Sequence, residues 1–174
     1  MAQRKLKDYM ERCMAMLDEL NIPYSKDIKE LSVSHAEHRW GRTVWRNVNV
    51  NGVRERQDFT IEISYKLINE KYTPTDDGLI NTMIHELLHT TPDGAGHTGM
   101  WKVYAEKVYS RYGIDIKRCG SDDDKGCDSM STYKHIVQCT KCQKPIGRYR
   151  TSKLILHPEN FHCRVCGSPI VRIK

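Results

Sequence analysis

The chain has 174 residues, is 39% hydrophobic and 29% charged, and carries a formal net charge of +6. That composition supports one compact domain with a small appendage and excludes a disordered chain. No apolar run reaches transmembrane length, and the opening "MAQRKLKDYMERC" lacks the apolar centre of a signal peptide, so a soluble cytoplasmic protein is expected.

Residues Lys5 to Leu20 read as a helix, because Leu6, Met10, Cys13, Met14 and Leu17 recur at spacings of three and four. "NIPY" stops it. Two or three short strands of a small antiparallel sheet then follow, from the alternating stretches "ELSVSH", "RTVWRNVNV" up to the turn "NG", and "DFTIEISYKL". Asp76 or Asp77 can cap the next helix, which carries Leu79, Ile80, Met83, Ile84, Leu87 and Leu88. Pro92 and Gly94 break it, and a further helix from Gly99 to Tyr112 ends at Gly113. "DIKRCGSDDDKGCDSMS" is polar and glycine-bearing and reads as a linker. Short strand-like pieces between paired cysteines complete the chain.

The stretch "NTMIHELLHTTPDGAGHTGMW" holds His85, His89 and His97, with Glu86 beside the first. Four apart on a helix, His85 and His89 share a face and can reach one ion. Glu86 lies roughly a quarter-turn round, placed to lean on the open side without being a ligand. Catalytic zinc usually takes three protein ligands, and the turn "TTPDGAG" can return His97 as the third. The bland alternative is a helix with two surface histidines and a salt-bridged glutamate. Zinc at such a site acidifies a water and polarises a carbonyl, which implies peptide-bond hydrolysis with Glu86 moving the proton. Arg39 and Tyr104 are open candidates for stabilising the oxyanion. His35 and His38 flank a strand end and are expected to be exposed or paired with Glu37.

Seven cysteines in a reducing compartment are read as metal ligands or free thiols rather than disulfides. Cys139-x-x-Cys142 and Cys163-x-x-Cys166, with Gly167 suited to the turn, have the spacing of a zinc ribbon closed by four thiolates. A segment of about forty residues with few large apolar side chains needs that metal to fold. His135, His157 and His162 are rival ligands, but the cysteine set is complete without them. Cys13 belongs to the core, and Cys119 and Cys127 read as free, exposed thiols in the linker.

From Thr132 to Lys174 nine Lys/Arg face a single Glu159, a charge of +8, which leaves −2 for the rest. A basic appendage on a mildly acidic body suggests a polyanionic partner, nucleic acid first. Two zinc-bound thiolate pairs bring the appendage nearer +6, still basic. Lys141, Lys144, Arg148, Arg150 and Lys153 are the candidate phosphate contacts, and Tyr149 can stack on an unpaired base. No base-reading helix is evident, so little sequence preference is expected.

Taken together, "RWG" (Arg39, Trp40, Gly41), "HELLH", "GHTGMW" and the four-cysteine segment resemble the SprT-like (Spartan-type) family of zinc metalloproteases. The resemblance covers most of the chain, and the reading is an α+β zincin-like domain at residues 1–118, a linker at 119–131 and a ribbon at 132–174. It implies a catalytic zinc on His85, His89 and His97, Glu86 as base, and a DNA-associated protease, in some members one that cleaves DNA-crosslinked proteins. Such a chain would be cytoplasmic, and nucleoid-associated if DNA binding holds. Two features depart from the family: the acidic, cysteine-bearing linker, and the lack of a long tail with ubiquitin- or clamp-recruiting motifs. Trp40 and Trp45 can also simply fill the apolar side of a hairpin. The rival functions are a nucleic-acid-binding zinc adaptor with little protease activity and a general cytosolic metallopeptidase with a purely structural ribbon.

Overall fold

The structure is a computed structural model that describes residues 6–118, 120, 125, 127 and 133–174. The chain divides into two compact units, Met1–Cys127 and Asp128–Lys174. The described residues form four helices and two three-stranded sheets, a mixed α+β architecture.

In the first unit, α1 spans Leu6–Glu19 and buries Met10, Cys13 and Leu17 on one face. Its predicted first residue, Lys5, lies outside the described residues. Asn21 adopts a left-handed φ of 52°. The amides of Asn21 and Ile22 then bond back to the carbonyls of Asp18 and Leu17, and Pro23 bars further helix.

Strands β1 (Ile28–Ser34), β2 (Gly41–Val50) and β3 (Val53–Ser64) follow. Asn51 and Gly52, with φ of 52° and 83°, make the tight turn that "NG" predicts between β2 and β3. Strand order is β1-β3-β2, and β1 runs parallel to β3, pairing Leu31 with Ile61 and Val33 with Ile63. The expected antiparallel sheet is therefore corrected to a mixed one. The physical reason lies in β3, whose Phe59, Ile61 and Ile63 are buried. The strand with the buried apolar side chains takes the centre, and β1 pairs with its remaining edge.

Helix α2, Asp76–Leu88, is the middle of this unit. Leu79, Ile80, Met83, Ile84, Leu87 and Leu88 are all buried, as expected for a helix apolar on nearly every side. They share one core with α1, with Ile61 and Ile63, and with Trp101, Tyr104 and Val108 of α3 (Met100–Tyr112). The cap of α2 is Thr75 rather than Asp76 or Asp77: its Oγ accepts from the Gly78 amide at 3.0 Å. The two aspartates sit in the first turn, where negative charge complements the helix dipole. At the other end the hydroxyls of Thr90 and Thr91 donate to the carbonyls of Leu87 and Leu88. Arg56 of β3 donates to the carbonyls of His89, Thr91 and Pro92. The C-terminal carbonyls of the helix thus receive partners and a positive charge together. Gly113, φ 71°, ends α3 as predicted.

The second unit is a three-stranded antiparallel sheet in the order β5-β4-β6, from Pro145–Arg148, His135–Cys139 and Ile170–Arg172. A single helical turn, α4 (Lys153–Leu156), accompanies it. Its buried core is Val137, Cys139, Ile155, Cys163 and Ile170, so two of five members are cysteines.

No helix among the described residues is long and apolar enough to cross a membrane.

Candidate metal centres

His85 lies on the last turn of α2, His89 is its C-terminal cap, and His97 returns from the segment ahead of α3. Their Nε2 atoms stand 3.0 to 3.2 Å apart in every pairing. Nitrogens bonded at ~2.0–2.1 Å to one tetrahedral ion lie roughly 3.3 Å apart, so the triangle is close to the size zinc requires. The far side of each α2 ring fixes its proton. His85 Nδ1 is 3.0 Å from the Lys117 carbonyl and His89 Nδ1 is 2.7 Å from the Gly94 carbonyl. A carbonyl only accepts, so both Nδ1 atoms carry hydrogen and both neutral rings present an Nε2 lone pair inward. A bound cation relieves the repulsion between such converging lone pairs.

Burial pushes His85 down to about 3, with the neighbouring His89 and His97 adding to the effect. Burial also lowers His89 and His97. All three rings are therefore neutral, the ligating form, at physiological pH. Trp101 packs its indole against the three imidazoles at ring distances of 5.0, 6.0 and 4.9 Å for His85, His89 and His97. These histidines could hold a metal ion, and zinc is compatible with them.

Glu86 is buried beside this cluster. Burial pushes its carboxyl up to about 7, opposed by a hydrogen bond from Thr43 and by the charges of Lys125 and Arg39. Thr43 Oγ lies 2.8 Å from Glu86 Oε2 and 2.9 Å from the Glu86 carbonyl, locking strand β2 to the helix. Gly41 makes the space: a Cβ there would sit 2.5 Å from Glu86 Oε1. The glycine of "RWG" thus has a steric reason. A cleft of about 280 Å³ opens over His85 and Glu86, lined also by Arg39, Trp40, Gly41 and Arg118. A second cleft of about 460 Å³ lies on the His97 side, lined by Trp101, Ala105, Tyr109 and Ile116, with Arg118 bordering both.

Arg39 is in the first cleft and pairs with Glu62 at 3.0 Å. Tyr104 is buried in the core of α3. The two tryptophans separate in role. Trp40 lines the cleft, its Nε1 donating to the Gly120 carbonyl, whereas Trp45 packs near Phe59 and under Arg56. His35 is exposed and stacks on Tyr65; His38 is exposed at the cleft rim.

In the second unit Cys139, Cys142, Cys163 and Cys166 bring their sulfurs within 4.8 Å of one another, and this set too could hold a metal ion. Sulfurs of Cys139 and Cys166 are 3.4 Å apart, those of Cys142 and Cys163 3.6 Å. Four sulfurs at ~2.3 Å from a tetrahedral ion are spaced similarly. Amides of Lys141 and Cys142 point at Cys139 Sγ, the fold of a metal knuckle. Amide hydrogen bonds from Cys166 and Val165 lower the Cys163 thiol, and those of the Ser168 backbone and side chain bring Cys166 down to about 6. Both shifts favour the thiolate that binds metal, whereas Cys142 is pushed up to about 11, a backbone hydrogen bond from Lys144 being outweighed by its hydrogen bonds to Cys139 and Cys163. Gly167 turns the chain with φ 70°. Among the described residues no histidine joins this set: His135 faces Thr151 and Arg172, His157 faces Glu159, and His162 bridges to Pro169.

Lys141, Lys144, Arg148, Arg150 and Lys153 are all exposed, around the β4–β5 turn, the end of β5 and the start of α4. Tyr149 is half-buried against Tyr133, ring centres 4.5 Å apart.

Cys127 is a correction. The thiol expected to be exposed is buried in the core of the first unit, its Sγ 3.7 Å from the Lys66 carbonyl. An apolar thiol flanked by polar residues is drawn into a core that has room for it. Cys119 lies outside the described residues. Cys13 is buried as expected, and burial pushes its thiol up to about 12. Lys125, also assigned to the linker, is buried at the cleft. Its one sequence signal is being the sole cation of "SDDDKGCD". Lys117 contributes a backbone carbonyl, which no residue type announces.

The chain matches no family model, no curated protein and no solved structure.

Proposed function

We propose that the chain is a zinc-dependent metalloprotease of zincin-like fold that hydrolyses peptide bonds in DNA-associated proteins. The observation that carries the reading is the convergence of three Nε2 atoms at 3.0 to 3.2 Å beside a buried glutamate that makes no ion pair with them. His85, His89 and His97 hold the catalytic zinc, and Cys139, Cys142, Cys163 and Cys166 a structural one. When bound, the first ion supplies Lewis-acid chemistry. Glu86 takes the proton of the attacking water and delivers it to the leaving amine. Thr43 and Gly41 fix where that carboxylate stands. Arg39 and Arg118 border the cleft and orient the polypeptide across it. The resemblance to SprT-like proteases points the same way.

DNA association rests on the +8 charge of Thr132–Lys174 and on the exposure of its five candidate phosphate contacts. Counterion release makes such binding steeply salt-dependent. The test is cleavage of an unfolded protein across a salt titration, with and without single- and double-stranded DNA. Metal analysis of the same sample is expected to give two zinc per chain. One zinc or fewer after full loading, or no cleavage in any condition, would refute the enzyme. Cleavage that ignores DNA leaves a general peptidase, and DNA binding without cleavage leaves an adaptor.

Gly41→Ala gives a second check. The new methyl displaces the Glu86 carboxylate, and misplacements near 1 Å cost on the order of 10²-fold in rate. The expected result is that loss in kcat with zinc content unchanged.

A further inference from the structure

One face of α2 carries Thr75, Gly78, Asn81 and His85 at helical spacing. The backbone of Lys125 lies along its first half. The Lys125 carbonyl accepts from the Thr75 amide and hydroxyl, each at 3.4 Å. Gly78 allows the contact, since a Cβ there would meet that carbonyl at 2.4 Å. The Lys125 side chain then reaches along the helix, and its Nζ donates to Asn81 Oδ1 at 2.6 Å. Asn81 uses its other end: Nδ2 donates to the Asp115 carbonyl at 2.7 Å. Two residues further on, the Lys117 carbonyl accepts from His85 Nδ1 at 3.0 Å.

These bonds form a chain from Lys125 through Asn81 and the segment after α3 to the first histidine. We infer that Asn81 and Lys125 are positioning residues for the metal centre: they hold the Asp115–Lys117 segment so that its carbonyl sets the tautomer and tilt of His85. Asn81 suits the task because a primary amide offers an acceptor on one atom and a donor on the other. Lys125 orients that amide by claiming its oxygen, which leaves only the nitrogen for Asp115. Groups that orient a ligating histidine typically cost 10–100-fold in metal affinity when removed. His89 takes its acceptor, Gly94, from the loop directly following it, and lies outside this chain of contacts.

The inference rests on the reading that the three histidines bind zinc, and the experiment separates the two. Full-length protein is titrated with cobalt(II) and then with zinc in competition with a chelator. Thiolate ligation gives ultraviolet charge-transfer bands that imidazole ligation lacks, so the cysteine site reports separately and serves as an internal reference. The variants are Asn81→Ala, Asn81→Asp, Lys125→Met and Lys125→Arg. Asn81→Ala and Asn81→Asp are expected to weaken the histidine site about 10–100-fold and leave the cysteine site unchanged. The aspartate keeps an acceptor for Lys125 but loses the donor to Asp115. Lys125→Met should weaken the histidine site less, Lys125→Arg should restore part of the loss, and Asn81→Ala/Lys125→Met should be no worse than Asn81→Ala alone. Unfolding curves of the metal-free proteins confirm folding; should Asn81→Ala fail to fold, Lys125→Met and Lys125→Arg still decide. Folded variants whose histidine site binds as the wild type does would overturn the inference and spare the zinc reading. A wild-type chain that loads metal only at the cysteines would overturn both.

Discussion

Glu86→Gln is expected to abolish peptide hydrolysis while both metal sites stay filled. Glutamine has the shape of glutamate, so it fits the space left by Gly41 and still accepts from Thr43. What it loses is the ability to take a proton. Removing a general base typically costs about 10²–10⁴-fold, and the measurement is single-turnover cleavage of one defined substrate beside zinc analysis. His97→Ala serves as the contrast: it deletes a ligand, so zinc occupancy of the histidine site falls along with activity, and the cysteine site is untouched. Wild-type cleavage by Glu86→Gln would remove this residue from the chemistry.

The second large effect concerns the cysteine unit. Five buried residues, two of them candidate metal ligands, make its core. Burial of the three others, Val137, Ile155 and Ile170, contributes about 1.5–3 kcal/mol each, far too little to order some forty residues. A structural zinc contributes roughly 10–16 kcal/mol. Cys163→Ser, or a strong chelator, should therefore unfold residues 133–174 outright. Hydrogen exchange would show the amides of β4, β5 and β6 losing protection while those of α2 keep theirs. The proposed salt-dependent DNA binding should weaken together with that loss. Retained protection in β4 without metal would show that the unit folds on its side chains alone.

The two candidate metal sites were legible because each is local. His85 and His89 are one helical turn apart, and the proline and glycines after them announce a return to His97. The cysteine pairs carry their own spacing. The supporting groups were not legible. Thr43, Asn81 and Lys125 reach the site through tertiary packing, and Lys117 and Gly94 act through carbonyls common to every residue. Strand alternation marked β1, β2 and β3 yet left their order open, because alternation records which face is buried and says nothing of which edge is paired. Trp45 in the hairpin and Gly113 after α3 behaved as their types predict. Cys127 did not, since a short apolar side chain in a polar stretch gives no periodic signal.

The parallel pairing of β1 with β3 sets an order of assembly. β1 leaves the ribosome first, but its partner strand is the last of the three to emerge. Until residue 64 is made, Leu31 and Val33 have no ladder to join. The β2–β3 hairpin closes locally around Asn51–Gly52, on the microsecond scale of such turns. β1 can dock only afterwards, across the longer loop whose closure costs more entropy. A nascent chain halted between residues 35 and 52 would thus present β1 as a bare strand edge, the form most open to capture by a chaperone or by another copy of itself.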